Sequence, residues 1–171
     1  MNQYIGVKLI NAKPMTRLEY NVFRGWPLPA DENGDDEGFL VEYVDGGKAN
    51  TAEYAGYVSW SPKDVFERAY RPCANMTFGL AIEALKAGKK MARAGWNGKG
   101  MWLVLVPGTL DAQLCEGTPY RNALGMASCE ILPHIDMWTV NADGRRAMLP
   151  GWLASQSDML AEDWMIVEVS K

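Results

Sequence analysis

The sequence predicts an α+β fold: an antiparallel sheet with short helices, preceded by a leader segment that is itself small and α+β. Two kinds of signal carry this reading. Hairpin turns recur: residues 89–96 and 101–106 flank Asn97-Gly98-Lys99-Gly100, and Asn141-Ala142-Asp143-Gly144 turns an extended run over 131–140 back into 145–149. Short helical patterns with capping residues stand between the extended runs. The chain divides into a leader at residues 1–73 and a second domain at 74–171.

In the leader, residues 4–10 have the look of a strand. Thr16-Arg17-Leu18-Glu19 fits a capping box, in which hydroxyl and carboxylate satisfy free N–H groups at a helix start. That helix stops near Gly25. A Pro- and acid-rich loop follows to Gly38. Its five carboxylates lack the ligand spacing of a calcium loop and read as solvated. Residues 39–44 and 57–60 are expected strands. Ser61 and Pro62 are placed as N-cap and first helical position of a helix that ends before Pro72.

In the second domain, Thr77 caps a helix whose apolar residues Phe78, Ala81, Ile82 and Leu85 recur at i, i+3, i+4 and i+7. Gly88 is its natural stop. The hairpin about Asn97 follows. From 107 to 128 the pattern dissolves. Residues 131–140 and 145–149 are extended, 151–158 form a polar loop, and 164–169 make the last strand.

Composition narrows the function. Hydrophobic residues make up 48% and charged residues 22% of the 171, which excludes a disordered chain. The net charge of -4 argues against wrapping duplex nucleic acid, where a basic face supplies most of the affinity. Cys73, Cys115 and Cys129 are odd in number and widely spaced, so neither a disulfide framework nor a zinc site is expected. With no signal peptide and no long apolar run, the expected setting is the reduced cytoplasm, without a membrane partner.

Catalytic patterns are sparse. His134 is the only histidine, and it follows Pro133 in an apolar run, where a hydrogen-bonded structural role is favoured. No GxSxG, P-loop or HExxH occurs. Asp158 with Glu162 and Asp163 offers acid–base pairs, but acidic clusters in loops serve mostly as caps or solvated groups. No metal and no cofactor is expected.

Recognition chemistry is richer. Arg93-Ala94-Gly95-Trp96-Asn97-Gly98-Lys99-Gly100 joins cations suited to phosphate, an indole suited to a purine, an amide, and glycines that let a ligand approach the backbone. A hairpin with a solvated rim is the plainer reading. The run from Gly151 to Trp164 adds Trp152, then Ser155, Gln156 and Asp158, groups that match ribose hydroxyls and a base edge. A capped turn against the core is the plainer reading there. The seven tryptophans serve packing and assembly equally well.

These stretches resemble the second Thoeris anti-defence family of bacteriophage proteins. The resemblance runs over 76–167 and rests on four motifs. The first is Thr77-Phe78-Gly79-Leu80-Ala81-Ile82-Glu83-Ala84-Leu85-Lys86-Ala87-Gly88-Lys89. The second is Ala92-Arg93-Ala94-Gly95-Trp96-Asn97-Gly98-Lys99-Gly100-Met101. The third is Pro133-His134-Ile135-Asp136-Met137, and the fourth Trp152-Leu153-Ala154-Ser155-Gln156-Ser157-Asp158-Met159-Leu160-Ala161-Glu162-Asp163-Trp164. The resemblance implies a sponge, not an enzyme, acting in the host bacterial cytoplasm. Such a protein holds a cyclic ADP-ribose isomer, and in some relatives cyclic oligonucleotides, so that an immune effector is never activated. It also implies a small α+β homotetramer with pockets between protomers. The ligand-binding residues it assigns are Trp96 and Trp152 for stacking, with Asn97, Ser155, Gln156 and Asp158 as polar contacts. Arg93 and Lys99 join them from the recognition chemistry above. The chain departs from the short family form by its front segment, in which residues 56–66 resemble leader regions of other phage proteins. Residues 111–127 carry no family signature. Two rival classes remain: a nucleotide-processing enzyme using His134 with Asp158 or Glu162, and a structural or regulatory phage protein whose tryptophans serve assembly.

Overall fold

The computed structural model describes residue 3, residues 6–96 and residues 100–167. The chain forms two compact units, Met1–Arg71 and Pro72–Lys171. The α+β fold with antiparallel sheets expected from the sequence is present.

The first unit holds three antiparallel strands in the order β1 (Ile10–Pro14), β2 (Gly38–Tyr43), β3 (Tyr57–Pro62). Pairing starts at Ile10, later than the sequence suggests, because β2 ends at Tyr43 directly opposite. Helix α1 (Arg17–Arg24) begins at the expected capping box: Thr16 N–H donates to Glu19, and Glu19 N–H donates back to the Thr16 hydroxyl. Gly25 closes it in the left-handed conformation, φ 67°. Helix α2 (Lys63–Ala69) starts one residue later than expected, with Pro62 as its N-cap. Ser61 does not cap it, because its backbone still pairs with Phe39 in the sheet. The core is Tyr20, Leu40 and Val58. The acidic loop is solvated at Asp31, Asp35 and Asp36 but tied elsewhere, Glu32 to Arg17 and Glu37 to Lys63.

The second unit is built on a five-stranded antiparallel sheet. It comprises β4 (Lys90–Arg93), β5 (Trp102–Val106), β8 (His134–Val140), β9 (Arg146–Leu149) and β10 (Trp164–Val167), in the order β10-β4-β5-β8-β9. Its register sets Ile166, Met91, Leu103, Met137 and Leu149 in one row across all five strands. Helix α3 (Phe78–Lys86), capped by Thr77, covers that face with Ala81 and Leu85. Met76 and Trp164 exchange backbone hydrogen bonds of 2.8 and 3.1 Å, which ties the start of α3 to β10.

Two features depart from the expected pattern. Residues 107–128 are structured: β6 (Thr109–Gln113), helix α4 (Pro119–Leu124) and β7 (Ser128–Ile131) form an arm with its own two-stranded sheet. The extended run over 131–140 is two strands in two sheets, β7 and β8. It breaks at Leu132-Pro133, where proline has no N–H to give a ladder. A short helix, α5 (Gln156–Met159), occupies the polar loop before β10. Among the described residues no helix is long and apolar enough to cross a membrane.

Leu103 is fully buried at the centre of the row. Leu103→Ala is expected to destabilise the second unit by about 2–5 kcal/mol, read from the midpoint of urea denaturation. A change below about 1 kcal/mol would show that this row is not the core.

Candidate functional site

Strand periodicity puts Arg93 on the face of Met91, at the end of the sheet, where it meets α5 and the start of β10. Arg93 Nη1 donates to Asp158 Oδ1 at 2.8 Å, and Nε donates to Asp163 Oδ1 at 2.8 Å. The Trp96 indole N–H donates to the same Asp158 oxygen at 3.1 Å. The other Asp158 oxygen accepts from the Ser155 hydroxyl at 2.6 Å and the Ser155 N–H at 3.1 Å, as the capping box of α5. Trp164 Nε1 donates to the Asp158 carbonyl at 2.9 Å. Gly95 N–H donates to Asp163 Oδ2 at 2.6 Å, and a Cβ on Gly95 would lie 2.7 Å from that oxygen. A larger residue here would push the Asp163 carboxylate out of its bond with the Gly95 N–H.

Aromatic rings pack around this cluster. Trp96 lies edge-on to Trp152 at 6.1 Å and to Trp164 at 5.4 Å, and Phe78 adjoins Trp164 at 5.5 Å. Trp164 is fully buried, whereas Trp96 and Trp152 are half-buried against the core. The Trp152 backbone N–H donates to Ile135 O at 2.7 Å, and Gly151 N–H donates to Asp136 at 3.0 Å. Gly151 has φ 77°, so only glycine makes that turn without strain. Among the described residues the Trp152 indole N–H has no hydrogen-bond acceptor.

The structure thus brings Arg93, Trp96, Ser155 and Asp158 into one bonded cluster with Trp152 beside it. Gln156 opens α5 with its side chain exposed. Asn97 and Lys99 lie outside the described residues. Asp163, Trp164 and Phe78 complete the cluster and were not assigned to it from sequence. The spacing of Asp163 from Arg93, 70 positions, carries no local signal. The His134 ring lies with its Nδ1 2.9 Å from Leu132 O and its Nε2 3.6 Å from Asp136.

Charge is fixed within the cluster. Burial acts most strongly on Asp158 and favours its neutral form. Hydrogen bonds from Ser155, Arg93 and Trp96 outweigh it and bring the carboxyl down to about 2. Asp163 is lowered chiefly by its bond from Arg93, and Arg93 is raised by Asp163 and Asp158. Two carboxylates face one guanidinium, so the cluster offers hydroxyl, amide and indole groups without net positive charge. An open cleft of about 970 Å³ lies elsewhere, in the first unit, where six carboxylates outnumber the two cations Arg17 and Lys63. Its carboxylates disfavour a phosphate-bearing ligand. Among the described residues no His, Cys, Asp and Glu group could hold a metal ion.

Residues 76–167 match the family described as Thoeris anti-defense 2-like domain. A protein of Bacillus phage SP01, named Thoeris anti-defense 2, is 37% identical over 92 residues, covering 54% of this chain and 94% of that protein.

A carboxyl whose pKa falls on folding stabilises the protein above its unfolded value and loses that contribution as pH drops through the folded value. For Asp158 the window runs from the usual aspartate range down to about 2. Urea denaturation across this window should show a loss of at most about 2 kcal/mol that Asp158→Asn does not show. Equal slopes in the two proteins would remove Asp158 as the acid-sensitive group.

Proposed function

Because the chain belongs to the Thoeris anti-defense 2-like family, whose role is phage anti-defence, we propose that it is a sponge. It binds a cyclic ADP-ribose-type signal, or a related cyclic nucleotide, and withholds it in the host bacterial cytoplasm without cleaving it. One observation carries the site: two indoles 56 positions apart in sequence, Trp96 and Trp152, stand 6.1 Å from each other beside a fixed polar cluster.

In this reading Trp152 supplies the stacking face. Gln156 and Ser155 read ribose hydroxyls or a base edge, and Trp96 forms the back wall. Asp158 and Arg93 act from behind by holding Trp96 and α5 in place. The ligand's phosphates need a cation from elsewhere, for which Lys99 is the candidate, along with Asn97 as a polar contact. A sponge must outcompete an immune receptor, which calls for nanomolar binding, about -12 kcal/mol. One stacked indole supplies roughly 1–3 kcal/mol before the cost of immobilising the ligand. The remainder requires a closed pocket, which we assign to the interface between protomers of a homotetramer.

Chemistry on the ligand is disfavoured by how its groups are used. The acid–base reading uses His134 with Asp158 or Glu162, and of these the Asp158 carboxylate is committed to Arg93, Trp96 and its own cap. His134 is engaged with Leu132 and Asp136.

Calorimetric titration with a cyclic ADP-ribose isomer tests the reading. Trp152→Ala should weaken binding about tenfold to a hundredfold while the fold persists. Trp96→Phe, which keeps a ring but loses the bond to Asp158, should weaken binding and stability together. The ligand should return intact after heating, and His134→Ala should leave this unchanged. Steady conversion of the ligand, abolished by His134→Ala, would make the protein an enzyme. Wild-type affinity in both tryptophan variants would move the site elsewhere.

A further inference from the structure

The turn that carries Trp96 is held from two sides. Asp158 takes the indole N–H at 3.1 Å. Asp163 holds the backbone that leads to the ring. Its carbonyl accepts from Ala94 N–H at 3.0 Å, which extends the pairing of β10 with β4 one residue past Arg93. Its Oδ2 accepts from Gly95 N–H at 2.6 Å, while its Oδ1 accepts from Arg93 Nε at 2.8 Å. Trp96 N–H then donates to Arg93 O at 3.2 Å and closes a four-residue turn. Ala94 and Gly95 are exposed and add no apolar packing. Hydrogen bonds to one residue, not burial, therefore set the path of this turn. A ring tied through its indole N–H alone, on a backbone without the second anchor, is free to pivot.

We propose that Asp163 is a positioning residue of the ligand site: by clamping the Gly95 N–H it holds Trp96 in place as the wall beside Trp152. This rests on the reading of the site given above and adds to it a residue that acts without touching the ligand. The two carboxylate oxygens are divided between a cation and a backbone N–H, and an amide cannot serve both. Asn in place of Asp163 has one oxygen for two donors, and its NH2 cannot accept. Gly95→Ala breaks the same contact from the other side. Its Cβ would lie 2.7 Å from Asp163 Oδ2 and displace the carboxylate, whereas the backbone at Gly95 lies outside the left-handed region and admits alanine. The two substitutions are chemically unrelated yet meet at one hydrogen bond, so positioning requires that they do the same thing to Trp96. Ordering a released side chain again on binding costs up to about tenfold in affinity.

The test labels the full chain with fluorotryptophan and identifies the Trp96 fluorine resonance by its loss in Trp96→Phe. In ligand-free protein, Asp163→Asn and Gly95→Ala should both shift or broaden the Trp96 resonance at a temperature well below their melting points. Calorimetric titration with a cyclic ADP-ribose isomer should show affinity about tenfold weaker in each variant. In a Trp96→Phe background neither substitution should weaken binding by more than about twofold, since the ring that they release is already gone. A tenfold loss that persists in that background makes Asp163 a direct ligand contact and overturns the proposal. An unchanged Trp96 resonance in both variants overturns it too. If Asp163→Asn does not fold, Gly95→Ala decides by the same two criteria. A wild type that does not bind the isomer removes the sponge reading, and the ligand-free spectra still judge Asp163.

Discussion

The carboxylate of Asp158 accepts hydrogen bonds from Arg93, Trp96 and Ser155 at once, while its carbonyl accepts from Trp164. Helix α5 around it has only four residues, too few to persist on propensity alone. It exists because one residue is shared: the Asp158 side chain bonds its own cap, the end of β4 and the Trp96 indole, and its carbonyl bonds the Trp164 indole. Removing Arg93 would leave a buried charge uncompensated, a far larger loss than the worth of one surface pair. The aromatic cluster and the turn that carries Trp152 are therefore set by electrostatics as much as by apolar packing.

That arrangement has a bearing on recognition. Groups held by internal bonds need not be ordered again when a ligand arrives, so less binding energy is lost to immobilisation. Arg93 looks like a ligand cation in sequence, yet two of its nitrogens are already engaged by carboxylates. In the reading proposed above, Trp152 and Gln156 are the contact residues that carry no side-chain hydrogen bond to another described residue.

Legibility in the sequence followed the range of the interactions. Elements set by neighbours along the chain were readable: the Thr16 and Thr77 caps, the Gly25 stop and the alternation that makes β2 and β5. The arm was missed although Thr118-Pro119 and Gly125 bracket α4 in the usual way, because its strands lack the apolar alternation that burial imposes. Ser61 was placed in a cap because pairing with Phe39 is invisible locally. The meeting of Trp96 with Trp152 was anticipated from motif resemblance. The Asp163 contact was not, because nothing within ten residues of Arg93 announces it.

The core of each unit draws only on residues of that unit: Met76 is the earliest member of one, and Trp60 the latest of the other. A polypeptide so arranged is divisible by recombination. A breakpoint near Pro72 severs neither buried cluster, so recombination there leaves each set of core residues together on one polypeptide.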